Sequence, residues 1–176
     1  MAHAGGVETD AARPTIIVIG VSGSGKSTVG RLIAEGIGAE FIDGDDLHPP
    51  ENVAKMASGA ALTDDDRWPW LRRIAEVASS GPVVIACSAL RRVYRDALSA
   101  DAGRPLAFVH LDAPREILEA RIGHREGHFM PASLLGSQLA TLEPLGSDEP
   151  GVVLDARRTP DELAGDVAAW LGRRAF

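Results

Sequence analysis

Gly20-Val21-Ser22-Gly23-Ser24-Gly25-Lys26-Ser27 puts glycine, lysine and a hydroxyl at every fixed position of the spacing GxxxxGK[ST]. The glycines let successive backbone N–H groups curl round phosphate oxygens, and a helix starting just behind them adds partial positive charge. Lys26 would then reach the β- and γ-phosphates of a nucleoside triphosphate, with the Ser27 hydroxyl serving Mg²⁺. The expected nucleotide contacts are therefore Gly20, Ser22, Gly23, Ser24, Gly25, Lys26, Ser27 and Thr28. A second cluster, Asp43-Gly44-Asp45-Asp46, supplies carboxylates. Phosphoryl transfer needs a metal near the γ-phosphate and an acceptor hydroxyl whose proton has somewhere to go. Asp43 is assigned to the Mg²⁺ side with Ser27, and Asp45 to the acceptor hydroxyl. Asp and Gly are also ordinary turn formers. It is the phosphate loop nearby that gives the acidic turn chemical meaning.

These residues do chemistry only if elements hold them. Ahead of the loop, Thr15–Ile19 is a β-branched apolar run that reads as a buried strand, and residues 27–35 behind it have helical spacing. Further strands are expected at 39–42, 82–87, 106–111 and 151–155, with helices at 50–58, 68–79, 89–98 and 114–122. Thr159 can cap a last helix that starts at Pro160 and runs to about Leu171. Alternating strands and helices predict an α/β fold: three layers, with a five-stranded parallel sheet flanked by helices. Ligands collect at the carboxyl ends of such strands, and each polar cluster follows a strand. The third strand ends in Cys87 rather than Asp, so Asp112, just after the fourth, competes with Asp43 for the metal. Residues 121–131 carry Gly123, Gly127, Arg121 and Arg125, which suits a small mobile lid.

Composition bounds the rest. The 176 residues suit one domain over 14–176, preceded by a small, polar, disordered tail over 1–13. A net charge of −7 argues against nucleic-acid coating, and no apolar run is long enough to span a membrane. Cys87 is the single cysteine, which excludes an internal disulfide and points to a reducing cytoplasm.

The run Phe41-Ile42-Asp43-Gly44-Asp45-Asp46-Leu47-His48-Pro49, with Asn52-Val53-Ala54-Lys55-Met56 behind it, resembles the bacterial-type, thermoresistant-like gluconokinases. So do Asp66-Arg67, Pro69-Trp70-Leu71, the run Ala86–Asp96, and Gly127-His128-Phe129-Met130-Pro131. The resemblance extends over about residues 15 to 172 and implies a phosphate-loop kinase of the nucleoside-monophosphate kinase and shikimate kinase fold group. It implies transfer of the ATP γ-phosphate to the 6-hydroxyl of D-gluconate, dependence on Mg²⁺, a cytoplasmic setting and a homodimer. It further implies that Arg121 lies near adenine, that Arg125 reaches the phosphates as a catalytic cation, and that Arg157 and Pro160 flank the adenine site. An acidic polyol substrate asks for a cationic clamp and hydrogen-bonding partners. The candidates are Asp45, His48, Asn52, Lys55, Arg67, Arg91 and Gln138, with Arg67 first for the carboxylate, Arg91 or Lys55 next, and Arg95 held behind Arg91. Gln138 either contacts substrate or lies on the lid's helix. A shikimate kinase is the alternative within the fold, and an ATP-binding sensor without turnover the alternative outside enzymes.

Overall fold

The run Thr15–Ile19 is buried along its whole length, and its side chains alternate between two apolar clusters. In the computed structural model, which describes residues 13–124, 132–174 and 176, this run is β1 at the centre of the sheet. Chain order continues through α1 (Lys26–Ile37), β2 (Glu40–Asp43), a 3₁₀ turn (Gly44–Leu47), α2 (Pro50–Ala57), α3 (Asp64–Ser79) and β3 (Val83–Ala86). It ends with α4 (Arg92–Asp101), β4 (Leu106–Asp112), α5 (Arg115–Gly123), α6 (Ala132–Thr141), β5 (Gly151–Asp155) and α7 (Pro160–Leu171). The sheet order is β2-β3-β1-β4-β5 and every pairing is parallel.

Strand period sets the layers. Ile17 and Ile19 face Trp70, Leu71 and Ile74 of α3 and Tyr94 and Leu98 of α4. Ile16 and Val18 face Val29 and Ile33 of α1 and Leu163 and Val167 of α7. Fully burying an isoleucine of this kind contributes about 1.5–3 kcal/mol, so β1 anchors both faces. Val21, Leu90, Leu118 and Leu135 form a third cluster under the carboxyl end of the sheet, tying α5 and α6 to it.

Two helix starts differ from the expectation, each for a local reason. α3 begins at Asp64, not Trp68, because Thr63 and Asp66 form a capping box. Asp64, Asp65 and Asp66 then sit in the first turn, where helix partial charge favours them, and Pro69 lies inside the helix. α4 begins at Arg92, not Ala89: the carbonyls of Ala89 and Leu90 accept from Arg95 Nη1 at 3.3 and 3.0 Å.

That arginine is itself a correction. Arg95 is wholly buried and pairs with Glu149 through Nε–Oε1 at 2.6 Å and Nη2–Oε2 at 3.0 Å. A guanidinium with every arm engaged in the core is structural, which removes Arg95 from the carboxylate-clamp candidates. Burial works to raise the Glu149 carboxyl, but Arg95 prevails and holds it below the usual range.

Candidate active site

The phosphate loop runs from the end of β1 into α1. Gly25, which caps α1, has φ 94°, a conformation that a side chain would strain. Lys26 Nζ donates to Val21 O at 3.1 Å, curling the lysine back over its own loop. Ser27 Oγ donates to Asp43 Oδ2 at 2.9 Å. Asp43 Oδ1 accepts from the backbone N–H of Asp45 at 3.1 Å, which caps the 3₁₀ turn. Gly44 lets this turn press onto β3: a Cβ there would stand 2.5 Å from Ala86 O. Trp70 Nε1 closes the arrangement by donating to Gly44 O at 2.7 Å. Loop, acidic turn and α3 are thus joined through named hydrogen bonds. Asp112, the alternative on the metal side, instead lines a separate groove with Asp155 and Arg157.

Lys26 and Asp45 line one pocket together with Ser22, His48, Arg67, Trp70, Ser88 and Gln138. The His48 ring stacks on Trp70 with centroids 4.3 Å apart and planes at 13°. Burial first, then the charge of Arg67, pushes His48 down to about 4, so its ring is neutral at physiological pH. Gln138 Oε1 accepts from Ser22 N–H at 2.7 Å, which fastens α6 to the phosphate loop. Arg67 Nη1 donates to Leu62 O at 2.6 Å and to Tyr94 Oη at 3.3 Å, and its guanidinium lies over the Tyr94 ring.

The other candidates sit behind this wall. Arg91 pairs with Asp64 at 2.8 Å and Glu143 at 3.5 Å. Asp64 also accepts from Tyr94 Oη; that hydrogen bond, followed by those from Arg91, holds its carboxyl below the usual range against the pull of burial. Lys55 Nζ pairs with Asp66 Oδ2 at 2.6 Å, and buried Asn52 donates through Nδ2 to Asp66 O at 2.8 Å. Both tie α2 to the start of α3.

A second pocket opens on the other side of the loop, lined by Gly23, Ser24, Gly25, Thr28, Arg121, His124, Arg158 and Pro160. Arg121 Nη2 donates to Ala156 O at 2.6 Å and Nη1 to Gly23 O at 3.4 Å, bracing α5 against the loop. Arg157 turns away from this pocket to pair with Asp155 at 2.6 Å, and Arg158 takes the place beside Pro160. Arg125 and most of the expected lid lie in 125–131, outside the described residues.

Trp70 and Ser88 stand in runs that carry the family resemblance, and Arg158 is next to Arg157, but none of the three is among the site residues expected from sequence. The signal for Trp70 is its place at i+3 from Arg67 on the same helix. Cys87, at the end of β3, is buried, and burial pushes its thiol up, out of reach of nucleophilic work.

The AAA domain family matches residues 16–145. A gluconokinase from Gluconobacter oxydans (strain 621H) is 48% identical over 151 residues, covering 83% of this chain and 84% of that protein. The crystal structure of a gluconokinase from Sinorhizobium meliloti 1021 superposes with a TM-score of 0.85 at 52% identity, covering 92% of this chain and 93% of that one. A shikimate kinase from Acinetobacter baumannii in complex with shikimate superposes at 0.60 with 19% identity over 92% and 94% of the two chains, a likeness of fold alone. With a phosphate loop, an acidic turn bonded to it, and identity near one half along most of its length, the chain belongs to the gluconokinase family.

Proposed function

We propose that this chain transfers the γ-phosphoryl group of ATP to the 6-hydroxyl of D-gluconate, giving 6-phospho-D-gluconate and ADP. One observation carries the reading: Lys26 and Asp45 line a single pocket whose wall also holds a cation, Arg67, and neutral hydrogen-bonding groups. That is the chemistry an acidic polyol requires. The family to which the chain belongs supports the same substrate.

In this reading the pocket beside Thr28, Arg121 and Pro160 takes the nucleoside of ATP, and the loop N–H groups with Lys26 hold its phosphates. Asp45, carried by a turn that Asp43 and Trp70 hold in place, accepts the proton of the 6-hydroxyl. The hydroxyl oxygen forms its bond to the γ-phosphorus as the bond to the β–γ bridging oxygen breaks. Arg67 offers a planar fork to the substrate carboxylate. Arg125 is the further cation we propose for the transferring phosphoryl.

Ser27 Oγ and Asp43 Oδ2, hard oxygens 2.9 Å apart beside Lys26, suit Mg²⁺. Among the described residues no group of three or more His, Cys, Asp or Glu side chains forms a metal cage. That fits an ion that keeps its waters and takes the remaining ligands from phosphate. When bound, Mg²⁺ supplies charge neutralisation at the β- and γ-phosphates.

No helix among the described residues is long and apolar enough to cross a membrane. With one buried cysteine, a reducing cytoplasm is the setting we propose, and a homodimer the assembly, which sedimentation can test. The function itself is tested by ADP release measured with gluconate, shikimate and nucleoside monophosphates as acceptors, with phosphorus NMR of the product. Turnover with gluconate alone, giving a 6-phosphate, is expected. Preference for shikimate or a nucleotide would overturn the reading.

A further inference from the structure

Asn52 Nδ2 donates to the carbonyl oxygen of Asp66 at 2.8 Å. A carbonyl can only accept, so this contact fixes which end of the Asn52 amide is the NH₂ group. The same nitrogen stands 3.3 Å from His48 Nδ1. An amide NH₂ has hydrogens to give and no acceptor capacity, so Nδ1 must be the bare ring nitrogen. A neutral imidazole carries one proton, and here it is left on Nε2. A half-turn of the ring would keep its stack on Trp70 but put a carbon where Nδ1 stands, forfeiting the contact with Asn52. Trp70 is fixed in turn by its bond to Gly44 O. His48 lines the pocket of Lys26 and Asp45, whereas Asn52 stands behind it, 4% exposed.

We propose that Asn52 is a positioning residue that locks His48 as an Nε2–H donor, and that this donor reads one substrate hydroxyl as an acceptor. The ligand's identity rests on the gluconate reading above; the locked tautomer does not. Low basicity of the ring supports the assignment, since a neutral imidazole keeps a single, directional donor. The arrangement also gives the pocket selectivity. A substrate analogue lacking the matching hydroxyl would leave a buried N–H unpaired, which a site of this kind penalises.

The test uses the full chain labelled with ¹⁵N-histidine. Long-range ¹H–¹⁵N correlation at neutral pH separates bare from protonated ring nitrogens, and His48→Gln identifies the signal by its loss. The expected spectrum shows Nδ1 bare and Nε2 protonated, with Nε2 shifting when D-gluconate is added. A proton on Nδ1, or an average of both forms, overturns the proposal, and this result needs no destabilising variant. In Asn52→Asp the carboxylate accepts from the ring, so the proton should move to Nδ1. The gluconate KM should then rise about tenfold or more while the ATP KM stays within about twofold. An unchanged gluconate KM in a variant whose proton has moved would overturn the reading role of His48. If the wild-type chain neither binds nor phosphorylates gluconate, the substrate reading falls, and the spectrum still decides the tautomer.

Discussion

Ser27 Oγ and Asp43 Oδ2 are 2.9 Å apart, although β3 lies between β1 and β2 in the sheet. The other oxygen of Asp43 holds the N–H of Asp45. One carboxylate therefore sets both the end of the phosphate loop and the residue proposed as proton acceptor. It follows that Asp45→Asn keeps the backbone N–H by which Asp43 caps the turn. The variant should lose about 10²–10⁴-fold in kcat, the usual cost of removing a general base. The ATP KM should barely move. Steady-state kinetics with both substrates checks this; an unchanged kcat with a raised gluconate KM would make Asp45 a binding residue only.

Lys26→Ala should remove at least about 10²-fold of kcat, as loss of one charge-stabilising donor does. The variant gives up the bond from Lys26 to Val21 O, a net cost of about 0.5–1.5 kcal/mol, so circular dichroism should still show a folded chain. Activity retained within about tenfold, under ~1.4 kcal/mol of barrier, would exclude Lys26 from the transfer step.

Arg67→Ala should raise the gluconate KM by the equivalent of about 2–5 kcal/mol, the cost of breaking a desolvated charge pair. Arg67→Lys should recover only part of this, since an ammonium lacks the planar fork. The contacts with Leu62 O and Tyr94 Oη supply the control. Tyr94→Phe removes one support of the guanidinium and should cost much less in KM. If Arg67→Ala raises both KM values equally, the residue serves structure and the carboxylate clamp passes to Arg91 or Lys55.

Glu149→Ala should destabilise the fold by about 3–5 kcal/mol, because it leaves the Arg95 guanidinium buried without a counter-charge. At this chain length that corresponds to a fall in melting temperature of roughly 6–20 °C. The double variant Arg95→Leu with Glu149→Leu should lose less than either single one. Calorimetry on the two single variants and the double variant decides, and a double loss equal to the sum of the two single losses would mean that the pair contributes no coupling.

His48 binds a proton near pH 4 in the fold and near 6.5 when unfolded. Between those values the unfolded chain holds more protons, so stability falls as pH drops through this window and is fully present above it. The shift corresponds to roughly 3 kcal/mol. His110, lowered by burial despite Asp112 nearby, acts in the same sense. Denaturant titrations from pH 7 to 4 should show a slope that His48→Gln reduces; an identical slope in the variant would mean that His48 is free to charge.

The parts legible from sequence are those written at short range. The phosphate loop, the acidic turn and the five strands lie in contiguous spacing and hydrophobic runs, and their order alone implied the parallel sheet. Arg95 and Glu149 were not legible as partners, because they are 54 residues apart and meet only once β4 and α4 are in place. The start of α3 was legible only in part. An acidic run such as Asp64-Asp65-Asp66 suits a helix start, but placing the boundary at Thr63 rather than Trp68 takes the reciprocal bonds of Thr63 and Asp66. Arg157 and Arg158 are adjacent, and sequence cannot say which one turns toward the pocket. Arg67 lines the pocket although its Nη1 also stands 4.0 Å from Asp64 Oδ1, whereas Lys55 and Arg91 are held closer to carboxylates, at 2.6 and 2.8 Å.

The stacking of Trp70 on His48 has an optical consequence. The indole touches the imidazole on one face and hands its N–H to the turn that bears Asp45. Its ultraviolet emission is therefore coupled to both the charge on that ring and the seating of that turn. The protein carries a built-in fluorophore at its pocket, and ligand arrival becomes readable in real time from unlabelled material, with Trp68→Phe and Trp170→Phe silencing the background.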